Sequence, residues 1–128
     1  MLVILCTLAI AGMIISITIF LYPLETSRDS IKHFFLFLFV YAHTIVGFGI
    51  IYFCLSEWGL LQLIDHSPHT ATIYHMLEDT IYFSAVTLLT IGYGDIVPLG
   101  LARWIVVVQA LIGYLLPASF VVTSLHNR

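Results

Sequence analysis

Hydrophobic positions fall along the chain in three long blocks and one short one. Residues 1–22 contain no Asp, Glu, Lys or Arg. Residues 34–56 contain none either, and His43 is their only histidine. Residues 104–125 again contain none. Each block has about the 20 apolar residues that cross ~30 Å of hydrocarbon, so three transmembrane helices are predicted. The short block, 77–89, has Leu77, Ile81, Val86 and Leu89 as apolar positions and Thr80 and Ser84 as small ones, which predicts a helix. At ~1.5 Å per residue it reaches only about 20 Å, too short to span. Gly92 and Gly94 break it immediately afterwards. A re-entrant loop is the remaining option, because irregular backbone at membrane depth is tolerated only where protein buries it or water lines it. Polar residues gather in two linkers, 23–32 and 57–75. No internal repeat or low-complexity tract interrupts this pattern.

Composition agrees with the pattern. Of the 128 residues, 61% are hydrophobic and 9% charged, against roughly 25% charged in soluble domains. Such a chain cannot cover a water-facing surface. The first block lacks the basic start and small-residue cleavage site of a signal peptide, and is too long for its apolar region. The net charge of −3 decides little, and no basic cluster points to nucleic acid. Cys6 and Cys54 lie in separate apolar blocks without metal-ligand spacing. Both fall towards the same leaflet, so a disulfide is geometrically conceivable, but buried free thiols fit better.

Charge placement sets an orientation. Arg28 and Lys32 lie in the first linker and Arg128 ends the chain, so three of the four basic residues share one side of a three-span protein. The positive-inside rule makes that side the cytoplasm. The region 57–103 then faces outside, and it holds Glu57, Asp65, Glu78, Asp79 and Asp95. An acidic mouth would concentrate cations there, although ordinary loop polarity accounts for Glu57 and Asp65 equally well. Trp58 and Trp104 suit the outer aromatic belt and Tyr22 the inner one.

The chemistry concentrates in Thr90-Ile91-Gly92-Tyr93-Gly94-Asp95. Dehydrating a cation needs closely spaced oxygens that replace its water shell, and backbone carbonyls supply them when successive residues turn them to one side. Alternating signs of φ achieve this, and glycine accepts positive φ at little cost. Thr90 adds a hydroxyl below the lowest carbonyl ring, while Ile91 and Tyr93 point away and brace the strand. Glu78 and Asp79 at the start of the short helix suit its positive end, and its carbonyl-rich end favours a cation.

The run 78–98, with Thr90-Ile91-Gly92-Tyr93-Gly94 at its centre, resembles the pore region of tetrameric potassium channels, especially the small bacterial ones. The resemblance continues more weakly through the last apolar block and back to Phe34, covering about three quarters of the chain. It implies potassium sites formed by the carbonyls of Thr90, Ile91, Gly92 and Tyr93 with the Thr90 hydroxyl, and closed by Gly94. It also implies that Tyr82 and Phe83 hold Tyr93 outward. Two departures matter. Tyr82 and Phe83 stand where some bacterial channels carry a tryptophan pair. Val86 stands where some carry a glutamate that pairs with the aspartate matching Asp95, so Asp95 must find another partner or water.

The last block contains Gly113 and Pro117, four apart. Proline has no N–H, so the Gly113 carbonyl loses its helical donor. The two residues coincide at a predicted kink or hinge, and Gly113 resembles the family's inner-helix hinge glycine. The competing reading is that Gly and Pro are common in membrane helices. Ala118, Ser119 and Thr123 are small or polar enough to line a vestibule. Gln109 either touches the cavity or packs against a neighbouring helix. His66, His69 and His75 read better as solvated loop histidines than as a metal or pH site. His43 in mid-span bonds another helix or marks a proton-sensitive site.

The expected protein is an all-α membrane homotetramer. Each chain supplies an extra N-terminal transmembrane helix, an outer helix, a re-entrant pore helix with selectivity filter, and an inner helix. Residues 1–32 form the N-terminal helix and cytoplasmic linker, and residues 33–128 the pore domain. The expected partners are three further copies, the lipid bilayer of the cell membrane and permeant potassium ions. No cofactor and no enzymatic chemistry are expected. The alternatives are a non-conducting accessory subunit of a related channel and one module of an active transporter. The first helix has no arginine ladder, so it is not expected to sense voltage. An excised pore of a larger protein is a further expectation.

Overall fold

The computed structural model describes residues 1–21, 30–60, 62–65 and 72–126. Tyr22, Arg28, His66, His69 and Arg128 lie outside the described residues, as do the side chains of Lys32, Asp65 and Thr123. In chain order the elements are α1 (Leu2–Leu21), α2 (Ser30–Glu57), β1 (Gln62–Asp65), α3 (Ile73–Leu88), β2 (Ile96–Leu99) and α4 (Ala102–His126). The helices α1, α2 and α4 are long and apolar enough to cross a membrane. The molecule is a helical membrane protein.

α1 is apolar all round, the signature of a helix that meets lipid or protein on every side. It runs antiparallel to α2. Near its start Cys6 shares a buried cluster with Phe53 and Cys54, and further along Met13 lies against Gly47. Numbers rise on one helix as they fall on the other. Met13 also joins Phe48, Tyr52, Phe83, Ile96 and Ala102 in the main core. α2 therefore stands between α1 on one side and the α3–α4 layer on the other. His43 lies on the α1 side of α2, its ring stacked on Phe39 with centroids 6.1 Å apart and its Nε2 facing Gly12.

α3 has 16 residues, about 24 Å of helix, still short of the ~30 Å hydrocarbon thickness. It begins at Ile73, a turn before the expected start at Leu77. Glu78 and Asp79 therefore sit in its second turn, and its first turn holds no acid. The helix dipole falls off within a turn, so the expected match of these acids to the positive end is corrected. Glu78 instead lies 3.8 Å from the His75 Nδ1. The 57–75 linker also contains a strand that its sequence did not announce. Its β1 strand pairs antiparallel with β2, in register Gln62↔Leu99 to Asp65↔Ile96.

α4 continues through Pro117 as one helix. One of its faces, carrying Trp104, Val107, Val108, Leu111, Tyr114 and Leu115, is exposed along its length. The opposite face, with Ala102, Gln109 and Leu116, is buried against the rest of the chain.

Candidate ion-conducting site

The C-terminus of α3 delivers the chain into residues 90–94. The helix ends because the N–H groups that follow it turn back. Leu89 donates to the Ala85 carbonyl at 2.9 Å and Thr90 to that of Thr87 at 3.0 Å. Ile91 and Gly92 both donate to the Val86 carbonyl, at 2.9 and 3.2 Å. From there the backbone alternates in hand. Thr90 has φ 56°, Gly92 58° and Gly94 79°, while Ile91 and Tyr93 between them stay at negative φ. Glycine accepts this conformation freely. Thr90 does not: a β-branched residue at positive φ is a genuine outlier, worth roughly 1–2 kcal/mol of strain. All five residues, Thr90, Ile91, Gly92, Tyr93 and Gly94, are exposed.

Asp95 closes the segment with both carboxylate oxygens engaged. Oδ2 accepts the Tyr82 hydroxyl at 2.6 Å, and Oδ1 accepts the Ile96 N–H at 3.0 Å. Tyr82 is thus the partner that Asp95 needed in place of a glutamate at Val86. The hydrogen bond to the carboxylate, with a smaller effect of desolvation, pushes the Tyr82 phenol up to about 12. Phe83 is buried, edge-on to Tyr52 with centroids 5.3 Å apart.

Behind α3 lies a buried polar network that sequence reasoning missed. Tyr52 donates to Gln109 Oε1 at 2.6 Å. Gln109 Nε2 donates to the Ser84 carbonyl at 2.9 Å and to Ser84 Oγ at 2.8 Å. Ser84 Oγ donates in turn to the Ile45 carbonyl at 2.7 Å. Gln109 is fully buried, so of its two expected roles the helix-packing one holds. A lone Gln in an apolar block was the available signal; its partners, 57 and 25 residues away, were not.

A second junction sits at the end of α3. A Cβ on Gly113 would collide with the Leu88 carbonyl oxygen, so only glycine lets α4 approach here. Tyr41 donates to that Leu88 carbonyl at 2.9 Å and lies 3.2 Å from the Gly113 carbonyl. Among the described residues no group of three or more His, Cys, Asp or Glu side chains is placed to hold a metal.

The signature of the ion channel family matches residues 61–126, which span β1, α3, the 90–94 segment and α4. The chain belongs to the ion channel family. The channel is 37% identical to Protein LctB of Geobacillus stearothermophilus over 104 residues, 80% of this chain and 77% of that one. Its identity to Protein LctB of Bacillus caldotenax is 36% over the same shares. It is also 37% identical to two-pore potassium channel 3 of Arabidopsis thaliana over 76 residues, 59% of this chain and 14% of that one. No solved structure matches the channel. An ion channel in a membrane is therefore the setting in which the alternating backbone and its supports operate.

Proposed function

We propose that the chain is one quarter of a potassium-selective pore. The alternating φ signs over residues 90–94 carry this reading. That backbone can present consecutive carbonyls to one side, as a dehydrated potassium ion requires. Thr90, Ile91, Gly92 and Tyr93 supply the carbonyls, Thr90 adds its hydroxyl, and Gly94 lets the chain leave. One such segment cannot enclose an axis. The exposed segment and the bare face of α4 are where three further copies fit, with residues 33–128 as the pore domain of each. Potassium is the permeant ion, and the reading involves no cofactor and no covalent chemistry. The cell membrane is the setting, with the end of α4 in the cytoplasm and the 90–94 mouth outside.

The test is a reversal potential in planar bilayers, with potassium on one side and sodium on the other. Reversal near the potassium equilibrium value, with block by barium, is the expected result. Reversal near zero with clear current would overturn selectivity. Silence together with a monomeric mass in detergent would favour a non-conducting accessory subunit.

A further inference from the structure

Two backbone carbonyls at the junction of three helices have lost their helical donors for different reasons. The Gly113 carbonyl faces residue 117, a proline without N–H. The Leu88 carbonyl ends α3, where the following N–H groups turn back to Ala85, Val86 and Thr87. Leaving a backbone acceptor unpaired away from water is unfavourable. Both carbonyls instead face one side chain from α2, the Tyr41 hydroxyl, at 2.9 and 3.2 Å. A hydroxyl has a single hydrogen, so the two acceptors share or compete for it.

The surroundings connect this hydroxyl to α4 on both sides of Pro117. Above Pro117, Gly113 lies directly against Leu88 with no space for a side chain. Below Pro117, the Phe120 ring packs on Phe37 with centroids 5.2 Å apart. Phe37 packs on the Tyr41 ring at 5.3 Å. Leu88 is two residues before Thr90, where the strained backbone begins.

We infer that Tyr41 is a positioning residue that couples bending of α4 at Gly113–Pro117 to the base of the 90–94 segment. When the lower half of α4 swings, the Gly113 carbonyl tips and Phe120 shifts against Phe37. The Tyr41 hydrogen then moves its share between Gly113 and Leu88. The Leu88 carbonyl is held more or less firmly as a result, and the entry to Thr90 with it. This inference rests on the channel reading above.

The experiment is a double-mutant cycle on single-channel open probability with Tyr41→Phe and Pro117→Ala. Tyr41→Phe removes the hydroxyl and keeps the ring. Pro117→Ala restores an N–H that can donate to the Gly113 carbonyl. Tyr41→Phe alone should change open probability roughly three- to ten-fold, the span of one net hydrogen bond. In the Pro117→Ala background the same change should shrink to less than half of that on a logarithmic scale, because one of the two acceptors no longer needs Tyr41. A merely structural loss would be the same in both backgrounds. Equal effects in both, or none in either, overturn the inference. Should Tyr41→Phe not assemble, Tyr41→3-fluorotyrosine keeps the shape and strengthens the donor, and it should shift open probability in the parent more than in Pro117→Ala. A conducting parent with additive variants overturns this coupling alone, whereas a parent that is silent and monomeric in detergent overturns the channel reading.

Discussion

Single atoms decide more here than residue types do. Gly113 was legible as a flexible point in a membrane helix. Its contact with the Leu88 carbonyl was not, because nothing in the sequence says which carbonyl faces it. Gly113→Ala would drive a methyl into that oxygen, and relieving such an overlap costs about 1–3 kcal/mol. A lower thermal midpoint of the detergent-solubilised protein should follow, read by fluorescence-detected size exclusion after heating. The Tyr82–Asp95 bond makes a prediction in pH. The Tyr82 phenol is raised above its ordinary value to about 12. For a raised group the contribution of the bond is complete below the unfolded phenol range and is lost as pH rises through about 12. The pair should therefore hold at all physiological pH. In Asp95→Asn the Tyr82 tyrosinate absorbance should appear at lower pH than in the parent, and an unchanged titration would count against the bond.

At the scale of elements, long apolar blocks declared the three spanning helices, because a bilayer imposes a length that composition alone reveals. The 90–94 segment declared itself because few residue types tolerate its backbone. The start of α3 was set too late. Thr72, a residue type that marks helix starts, precedes it in extended conformation, but the apolar positions that mark the helix become regular only from Leu77. The β1–β2 pair was invisible, being two four-residue strands far apart in the chain, one containing Pro98. The helix contacts can be checked directly. Gln109→Leu strands the buried Tyr52 hydroxyl, and a buried group left without its partner costs about 1–3 kcal/mol. A marked loss of thermal stability is expected, with Ser84→Ala milder. The antiparallel fit of α1 on α2 places the Cys6 and Cys54 thiols in contact. Diamide, which takes up two electrons and two protons as the thiols join, should close an intrachain disulfide. Peptide mapping would show it, and two free thiols after treatment would contradict the helix pairing.

For the whole molecule, the faces that a single chain leaves bare are the informative ones. Trp104, Val107, Val108, Leu111, Tyr114 and Leu115 repeat every three or four residues on α4, and that stripe lies on the helix that follows the 90–94 segment. α1 by contrast covers the far side of α2. A protein built this way should assemble through α4 and present α1 outward. On the proposed four-chain assembly, Leu111→Asp puts a charge into the contact and should reduce the mass in detergent to that of one chain. Substitution of the equally exposed Leu8 on α1 by serine should leave four. Loss of assembly in both, or in neither, would mean that the α4 stripe is not the contact.

The 90–94 segment is moored at each end. On the α3 side the Leu88 carbonyl is bound to Tyr41; on the other, Asp95 is bound to Tyr82, and β2 is laced to β1 and to Arg103 through the Pro98 carbonyl. A short span fixed at both supports behaves as a clamped beam. It has little slack of its own, so its shape changes only when one of its supports moves, as when Tyr41 shifts its hold on the Leu88 carbonyl. In the proposed four-chain pore, the diameter of the passage would then be set by the supports and by how the chains sit against one another, and not by the loop.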